Sequence, residues 1–124
     1  MSKRVLIVDD SPTVRQQLDM IFSDAGYRVE ACMDGQDALE RLRIDRAFDL
    51  LVTDINMPRL NGADLLEAAH REGLTAGMPI VVLTTEGHAD LVARAKAAGA
   101  RGWMMKPTQP EVLIKAAAKL TRAA

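Results

Sequence analysis

Three carboxylates stand at the ends of two short apolar runs: Asp9 and Asp10 after Val5-Leu6-Ile7-Val8, and Asp54 after Leu50-Leu51-Val52-Thr53. A third run, Ile80-Val81-Val82-Leu83, ends on Thr84, and a fourth, Gly102-Trp103-Met104-Met105, ends on Lys106. Brought together, the carboxylates would repel one another, and burial would make each charge costlier. A divalent cation relieves that repulsion. Oxygen ligands with no His or Cys among them point to magnesium, which keeps several waters and takes one or two carboxylates plus a phosphate. Asp10 and Asp54 are expected to bind Mg2+ directly and Asp9 through water, with the backbone carbonyl of Asn56 adding another oxygen. Asp54 is then the candidate nucleophile, because a carboxylate attacking phosphorus gives an acyl phosphate and splits one hard transfer into two easier ones. Such a transfer chiefly demands alignment and charge neutralisation. The cation can cover one phosphoryl oxygen, the Lys106 ammonium a second, and the Thr84 hydroxyl a third.

These residues meet only if the chain delivers four strand ends to one rim. Val5 to Val8 suits a strand covered on both faces. Ser11 and Pro12 read as a cap and a first helical residue, and Val14, Leu18, Ile21, Phe22 and Ala25 fall on one face of the helix that Gly26 stops. Val29 to Cys32 is a more polar strand, suited to a sheet edge. Asp34-Gly35 reads as a turn, followed by a helix through Ala38, Leu39 and Leu42 that ends near Arg46. After the Asp54 strand, Pro58 and Asn61-Gly62 read as loop. A helix through Leu65, Leu66 and Ala69 ends at Gly73, and Pro79 leads into the Thr84 strand. A fourth helix, from Gly87 through Leu91, Ala95 and Ala98, is closed by Gly99. The Lys106 strand and a last helix through Leu113, Ala116, Ala117 and Leu120 complete the chain. Five strands alternating with five helices predict right-handed crossovers and a doubly wound parallel sheet. In such α/β sheets ligands sit outside the carboxyl ends of the strands, which is where Asp9, Asp10, Asp54, Thr84 and Lys106 fall.

Composition narrows the partners. The 124 residues, 48% of them hydrophobic, suffice for one domain over residues 1–124 with a core of its own. A net charge of −1 provides no basic excess for nucleic acid. Cys32 is the only cysteine, which excludes an intrachain disulfide and fits a reducing cytosol. The first apolar run is too short for a signal peptide or a membrane span. The reading is a soluble, cytoplasmic monomer. Cys32 is expected to be a small buried apolar residue, His70 and His88 surface residues, and Lys115, Lys119 and Arg122 a solvated stripe.

Asp9-Asp10-Ser11-Pro12, Thr53-Asp54-Ile55-Asn56-Met57-Pro58, Leu83-Thr84-Thr85-Glu86 and Lys106-Pro107 resemble, in order and spacing, the receiver domain of bacterial response regulators. The resemblance covers essentially the whole chain. It implies the flavodoxin-like strand order 2-1-3-4-5, which the periodicity does not supply. It further implies that Asp54 accepts phosphate from a histidine kinase, that Asp9 and Asp10 hold magnesium, that Thr84 senses the phosphate, and that Lys106 pairs with it, next to a cis Lys106-Pro107 bond. Asn56 and Glu86, each two residues beyond a reactive position, resemble the pair that tunes dephosphorylation in fast-decaying chemotaxis regulators. Gly102 to Pro107 resembles a chemotaxis branch with tryptophan on strand five, so Trp103 is the expected switch residue and a flagellar motor switch protein the expected target. Thr108 replaces the family's usual phenylalanine, and Thr108 with Glu111 is expected to form a capping box.

Two other functions use the same parts. A single-domain phosphate sink or kinase-binding adaptor would need no output partner. A magnesium-dependent phosphatase would want a second acid two residues after Asp54, where Asn56 stands.

Overall fold

The computed structural model describes residues 2–85 and 87–122. The elements are β1 (Arg4–Val8), α1 (Pro12–Asp24), β2 (Arg28–Cys32), α2 (Gly35–Ile44), β3 (Leu50–Asp54), α3 (Gly62–Arg71), β4 (Ile80–Thr84), α4 (Ala89–Ala97), β5 (Gly102–Met105) and α5 (Pro110–Arg122). All strand pairs are parallel, in the order β2-β1-β3-β4-β5. The doubly wound, flavodoxin-like sheet therefore forms as expected, with the polar β2 on one edge and β5 on the other.

Side-chain alternation along the central strands sends residues to two separate cores. Leu6 and Val8 of β1, Leu51 of β3 and Val82 of β4 pack with Leu42 of α2, Leu65, Leu66 and Ala69 of α3, and Ala95 of α4. Val5, Ile7, Leu50, Val52, Val81 and Leu83 face the other way, onto Leu18 and Phe22 of α1 and Leu113 and Ala117 of α5. Both faces are covered, which is why these strands read as continuous apolar runs. Each fully buried Leu, Ile or Phe contributes about 1.5–3 kcal/mol. Phe22 is fully buried and meets Tyr27 edge-on at 5.2 Å between centroids.

Four local expectations need correction. Asp34-Gly35 and Asn61-Gly62 are helix starts rather than turns or loop: Asp34 caps α2 by accepting from Asp37 N–H at 2.8 Å, and Asn61 caps α3 by accepting from Asp64 N–H at 2.9 Å. Glycine follows each cap because another backbone runs against it. A Cβ at residue 35 would lie 2.2 Å from the Leu60 carbonyl oxygen, and one at residue 62 would lie 2.3 Å from that of Asp54. α4 begins at Ala89, since Gly87 has φ +92° and cannot continue a right-handed helix. At α5 the Leu113 N–H donates to the Gln109 carbonyl and Pro110 takes the first helical position. Gln109, not Thr108, is thus at the N-cap, and proline's fixed φ starts the helix in place of a Thr108 capping box. α1 starts as read, with Pro12 inside the helix and Ser11 Oγ accepting from Val14 N–H at 3.3 Å.

The Gly62 contact matters for the site, because it presses the start of α3 onto the strand end that carries Asp54. Gly62→Ala is expected to cost about 2 kcal/mol through overpacking against backbone. It would appear as a lower urea midpoint at unchanged slope.

Candidate functional site

The carboxyl ends of β1, β3, β4 and β5 open onto one rim. Asp9 is fully buried just beyond β1, and both its carboxylate oxygens are engaged. Oδ1 accepts from Ser11 N–H at 2.9 Å, and Oδ2 accepts from Lys106 Nζ at 2.8 Å. Asp10, next in the chain, is exposed. Asp54 is the last residue of β3 and is buried, and Lys106 Nζ lies 3.4 Å from its Oδ1. Each of the three acids offers an oxygen, and these oxygens lie within 4.8 Å of one another. The fold therefore brings Asp9, Asp10, Asp54 and Lys106, four of the residues singled out in the sequence, to one place.

Burial pushes the Asp54 carboxyl above its ordinary range. The Lys106 charge pulls it down and the Asp9 charge pushes it up, with the rise prevailing. Lys106 is subject to the same contest from the other side. Burial would lower its pKa, but the hydrogen bond to Asp9 and the charges of Asp54 and Asp9 raise it, so the ammonium persists. One ammonium against three carboxylates leaves the group negative. The donors are all oxygens, clustered and partly desolvated, with no thiolate or imidazole, and this set fits Mg2+.

The remaining expected residues take more varied positions. Thr84 is buried at the end of β4, and its hydroxyl donates to the Thr85 carbonyl at 3.0 Å. Lys106 N–H donates to the Thr84 carbonyl at 2.7 Å, joining the two strand ends, and the Lys106-Pro107 bond is cis. Asn56 follows Asp54 by two residues and is exposed. Trp103 is 49% exposed on the edge strand, with the Lys96 ammonium 3.5 Å from the centre of its ring. Glu86 lies outside the described residues. Cys32 is buried, and desolvation raises its thiol to about 12, so it is inert at neutral pH. His70, Lys115 and Lys119 are exposed, and His88 is half-buried.

Two features escaped the sequence reading. Arg15 donates from Nη1 to the Asp9 carbonyl at 2.7 Å. Its position, one turn after the Ser11 cap, was a usable signal, since helical side chains lean back toward the N-terminus. Arg59 pairs with Asp34 at 2.7 Å, and no periodicity links residues 34 and 59.

A flavodoxin-like sheet bearing an acidic, cation-competent rim with one half-buried lysine defines a class of phosphoryl-handling α/β proteins. Comparison with known proteins narrows it. The family profile described as "Response regulator receiver domain" matches residues 5–118. Chemotaxis protein CheY1 of Helicobacter pylori is 36% identical over 111 residues, covering 89% of this chain and 90% of that protein. Chemotaxis protein CheY of Thermotoga maritima is 33% identical over 123 residues, covering 98% and 100%. The solved structure of chemotaxis response regulator CheY4 of Vibrio cholerae superposes with a TM-score of 0.87 at 38% identity, covering 97% of this chain and 99% of that one. The chain belongs to the response regulator receiver domain family, and it is of the CheY-like kind, which implies a two-component phosphoacceptor.

The electrostatics carry a stability consequence. A folded pKa raised above the unfolded value gives stability that is complete below the unfolded pKa and is lost as pH rises through the folded one. Without magnesium, the stability of the wild type relative to Asp54→Asn should therefore fall as pH climbs through the raised Asp54 range. At neutral pH Asp54→Asn should need more urea to unfold. Magnesium should close that gap by stabilising the wild type more than the variant, as chemical denaturation with and without chelator would measure.

Proposed function

We propose that this protein is a cytoplasmic phosphorylation switch that takes a phosphoryl group from a histidine kinase onto Asp54 and presents a changed surface to a partner. The observation that carries the reading is the placement of Asp54 between Lys106 and two further carboxylates at the mouth of the sheet. Asp9, Asp10, Asp54 and the Asn56 carbonyl would hold magnesium, which when bound neutralises the carboxylates and a phosphoryl oxygen. Among the described residues no helix is long and apolar enough to cross a membrane.

The chain's own residues then account for the transfer. The Asp54 carboxylate oxygen forms the new O–P bond as the N–P bond to the donor imidazole breaks, and the electron pair of that bond returns to the imidazole nitrogen. Lys106, already 3.4 Å from Asp54 Oδ1, favours the ionised nucleophile against the burial that opposes it. Once the carboxylate is esterified, the ammonium loses one partner and is free to pair with a phosphoryl oxygen. Thr84 can turn its hydroxyl from the Thr85 carbonyl to another phosphoryl oxygen, which draws in the end of β4. Asn56, and Glu86 beyond the described residues, would flank the water that later hydrolyses the acyl phosphate.

The output face would be α4, β5 and α5. Of the residues in α4, Ala95 alone is fully buried. Arg94 moors the helix to α3 through ion pairs with Asp64 and Glu67, contacts that slide more easily than an interlocked core. Trp103, half-exposed beneath Lys96, can leave the surface when the Thr84 end moves. Trp103, Met105 and Val112 expose apolar area there, and Lys115 and Lys119 add positive charge, a combination suited to an acidic amphipathic segment. The relatives named above are chemotaxis proteins, which favours a chemotaxis kinase as donor and a flagellar motor switch protein as target.

With magnesium and a small acyl phosphate donor, mass spectrometry should locate one labile phosphoryl group on Asp54, and Asp54→Ala should take up none. Beryllofluoride should change the emission of Trp103, the only tryptophan. Thr84→Ala should keep phosphorylation but lose most of that emission change. A phosphoryl group on any other residue, or a silent Trp103 in the wild type, would overturn the reading.

A further inference from the structure

The loop between β3 and α3 is strapped to the start of α2 by contacts that the phosphoryl-transfer reading does not use. Arg59 has φ +67°, alone among the described non-glycine residues in being positive. A residue with a Cβ resists that conformation, so something must hold it there. The Arg59 guanidinium closes on the Asp34 carboxylate in a forked pair, Nε to Oδ2 at 2.7 Å and Nη2 to Oδ1 at 2.9 Å. The Asp34 side chain is only 6% exposed, and the arginine holds its carboxyl below the usual range. A forked, charge-assisted pair with one buried partner is the strong form of such a contact. Beside it, Gly35 N–H donates to the Leu60 carbonyl at 3.1 Å, in a space that admits no Cβ. At the far end of the loop, Gly62 N–H donates to the Ile55 carbonyl at 2.9 Å. Residues 55 to 62 are thus tied at two points, and Asn56, two residues after Asp54, lies between them.

We propose that Asp34 and Arg59 are positioning residues for the rim: their ion pair holds the loop so that the Asn56 backbone stays beside Asp54, and in this way it sets the affinity for a divalent cation. The inference rests on the cation site proposed above, of Asp9, Asp10, Asp54 and the Asn56 carbonyl. Neither residue touches the cation. They act through the loop backbone, as outer partners orient the inner ligands of metal sites.

Two substitutions separate positioning from plain charge. Asp34→Asn removes the charge yet keeps an oxygen able to cap α2. Arg59→Gly removes the guanidinium and relieves the left-handed backbone, so the variant has no reason to misfold. A long-range field would act in opposite directions: loss of a negative charge weakens cation binding, and loss of a positive charge tightens it. Loss of positioning weakens binding in both.

The test is calorimetric titration of magnesium into wild type, both single variants and the double variant, where circular dichroism shows each one folded. Both singles should bind magnesium about tenfold more weakly than wild type. The double variant should bind no more weakly than the worse single, because one strap can be broken only once. Tighter binding by Arg59→Gly would overturn the proposal in favour of the field. Unchanged affinity in both singles, whatever their melting temperatures, would also overturn it while leaving the cation site standing. No magnesium binding by wild type would remove the site itself, and the proposal with it.

Discussion

Like charges at the mouth of a dry sheet are the constraint that the rest of the molecule accommodates. Asp54 is buried at the end of a strand flanked by the largely apolar β1 and β4, with the Asp9 carboxylate close by and one ammonium to share between them. Asp9 is the better satisfied of the two. It has a backbone N–H on one oxygen and Lys106 on the other, whereas Asp54 keeps a raised pKa. The unmet demand is thus concentrated on the proposed phosphoacceptor. A cluster of this kind lowers the stability of the metal-free fold, and the two cores on either side of the sheet must supply the difference.

Stiffness and softness divide along the sheet. Around Asp54 the chain is held by close backbone approaches: Gly62 on the Asp54 carbonyl, Gly35 on that of Leu60, and the Arg59–Asp34 pair. Phosphoryl transfer needs that rigidity, since its catalysis is mostly alignment. Toward β5 the packing thins. The edge strand alternates half-buried and exposed residues, and α4 rests on one fully buried alanine and a set of ion pairs. The Lys96 ammonium over the Trp103 ring is worth about 0.5–1 kcal/mol at such an exposed site. That is small enough for the hydrogen bond proposed at Thr84 to overcome.

What could be read from the sequence follows from where the information sits. The central strands announce themselves because a strand buried on both faces must be apolar throughout, and the Ser11-Pro12 helix start carries its own signature. The acids were legible because they follow such runs and Lys106 because it follows the short edge strand, and topology alone carries those ends to one rim. The strand order came only from family resemblance, since periodicity does not say which strand neighbours which. Asp34-Gly35 and Asn61-Gly62 were misread for a physical reason. The dipeptides that make tight turns also make a helix cap followed by a residue with no side chain, and only the backbone packed against that glycine tells the two apart. The Arg59–Asp34 pair left no trace, because its partners meet through folding and not through spacing. The Thr108 capping box failed because Pro110, two residues on, is the stronger start signal.

The charge count also argues that cation and phosphoryl group are coupled in the proposed cycle. A carboxylate that becomes an acyl phosphate exchanges one negative charge for nearly two at neutral pH, while Asp9, Asp10 and Lys106 keep theirs. The rim is therefore more negative after transfer than before it, and its demand for a cation grows in the state that must persist long enough to be sensed. Lys106 alone cannot meet that demand, because Asp9 already takes its closest contact at 2.8 Å. Anything that loosens the loop carrying Asn56 should then be felt more in the lifetime of the phosphorylated state than in the resting fold. That loop is also where the chain accepts its one left-handed arginine among the described residues. Strain at that point, held by an ion pair with a buried partner, is what a site that must keep its geometry through a change of charge requires.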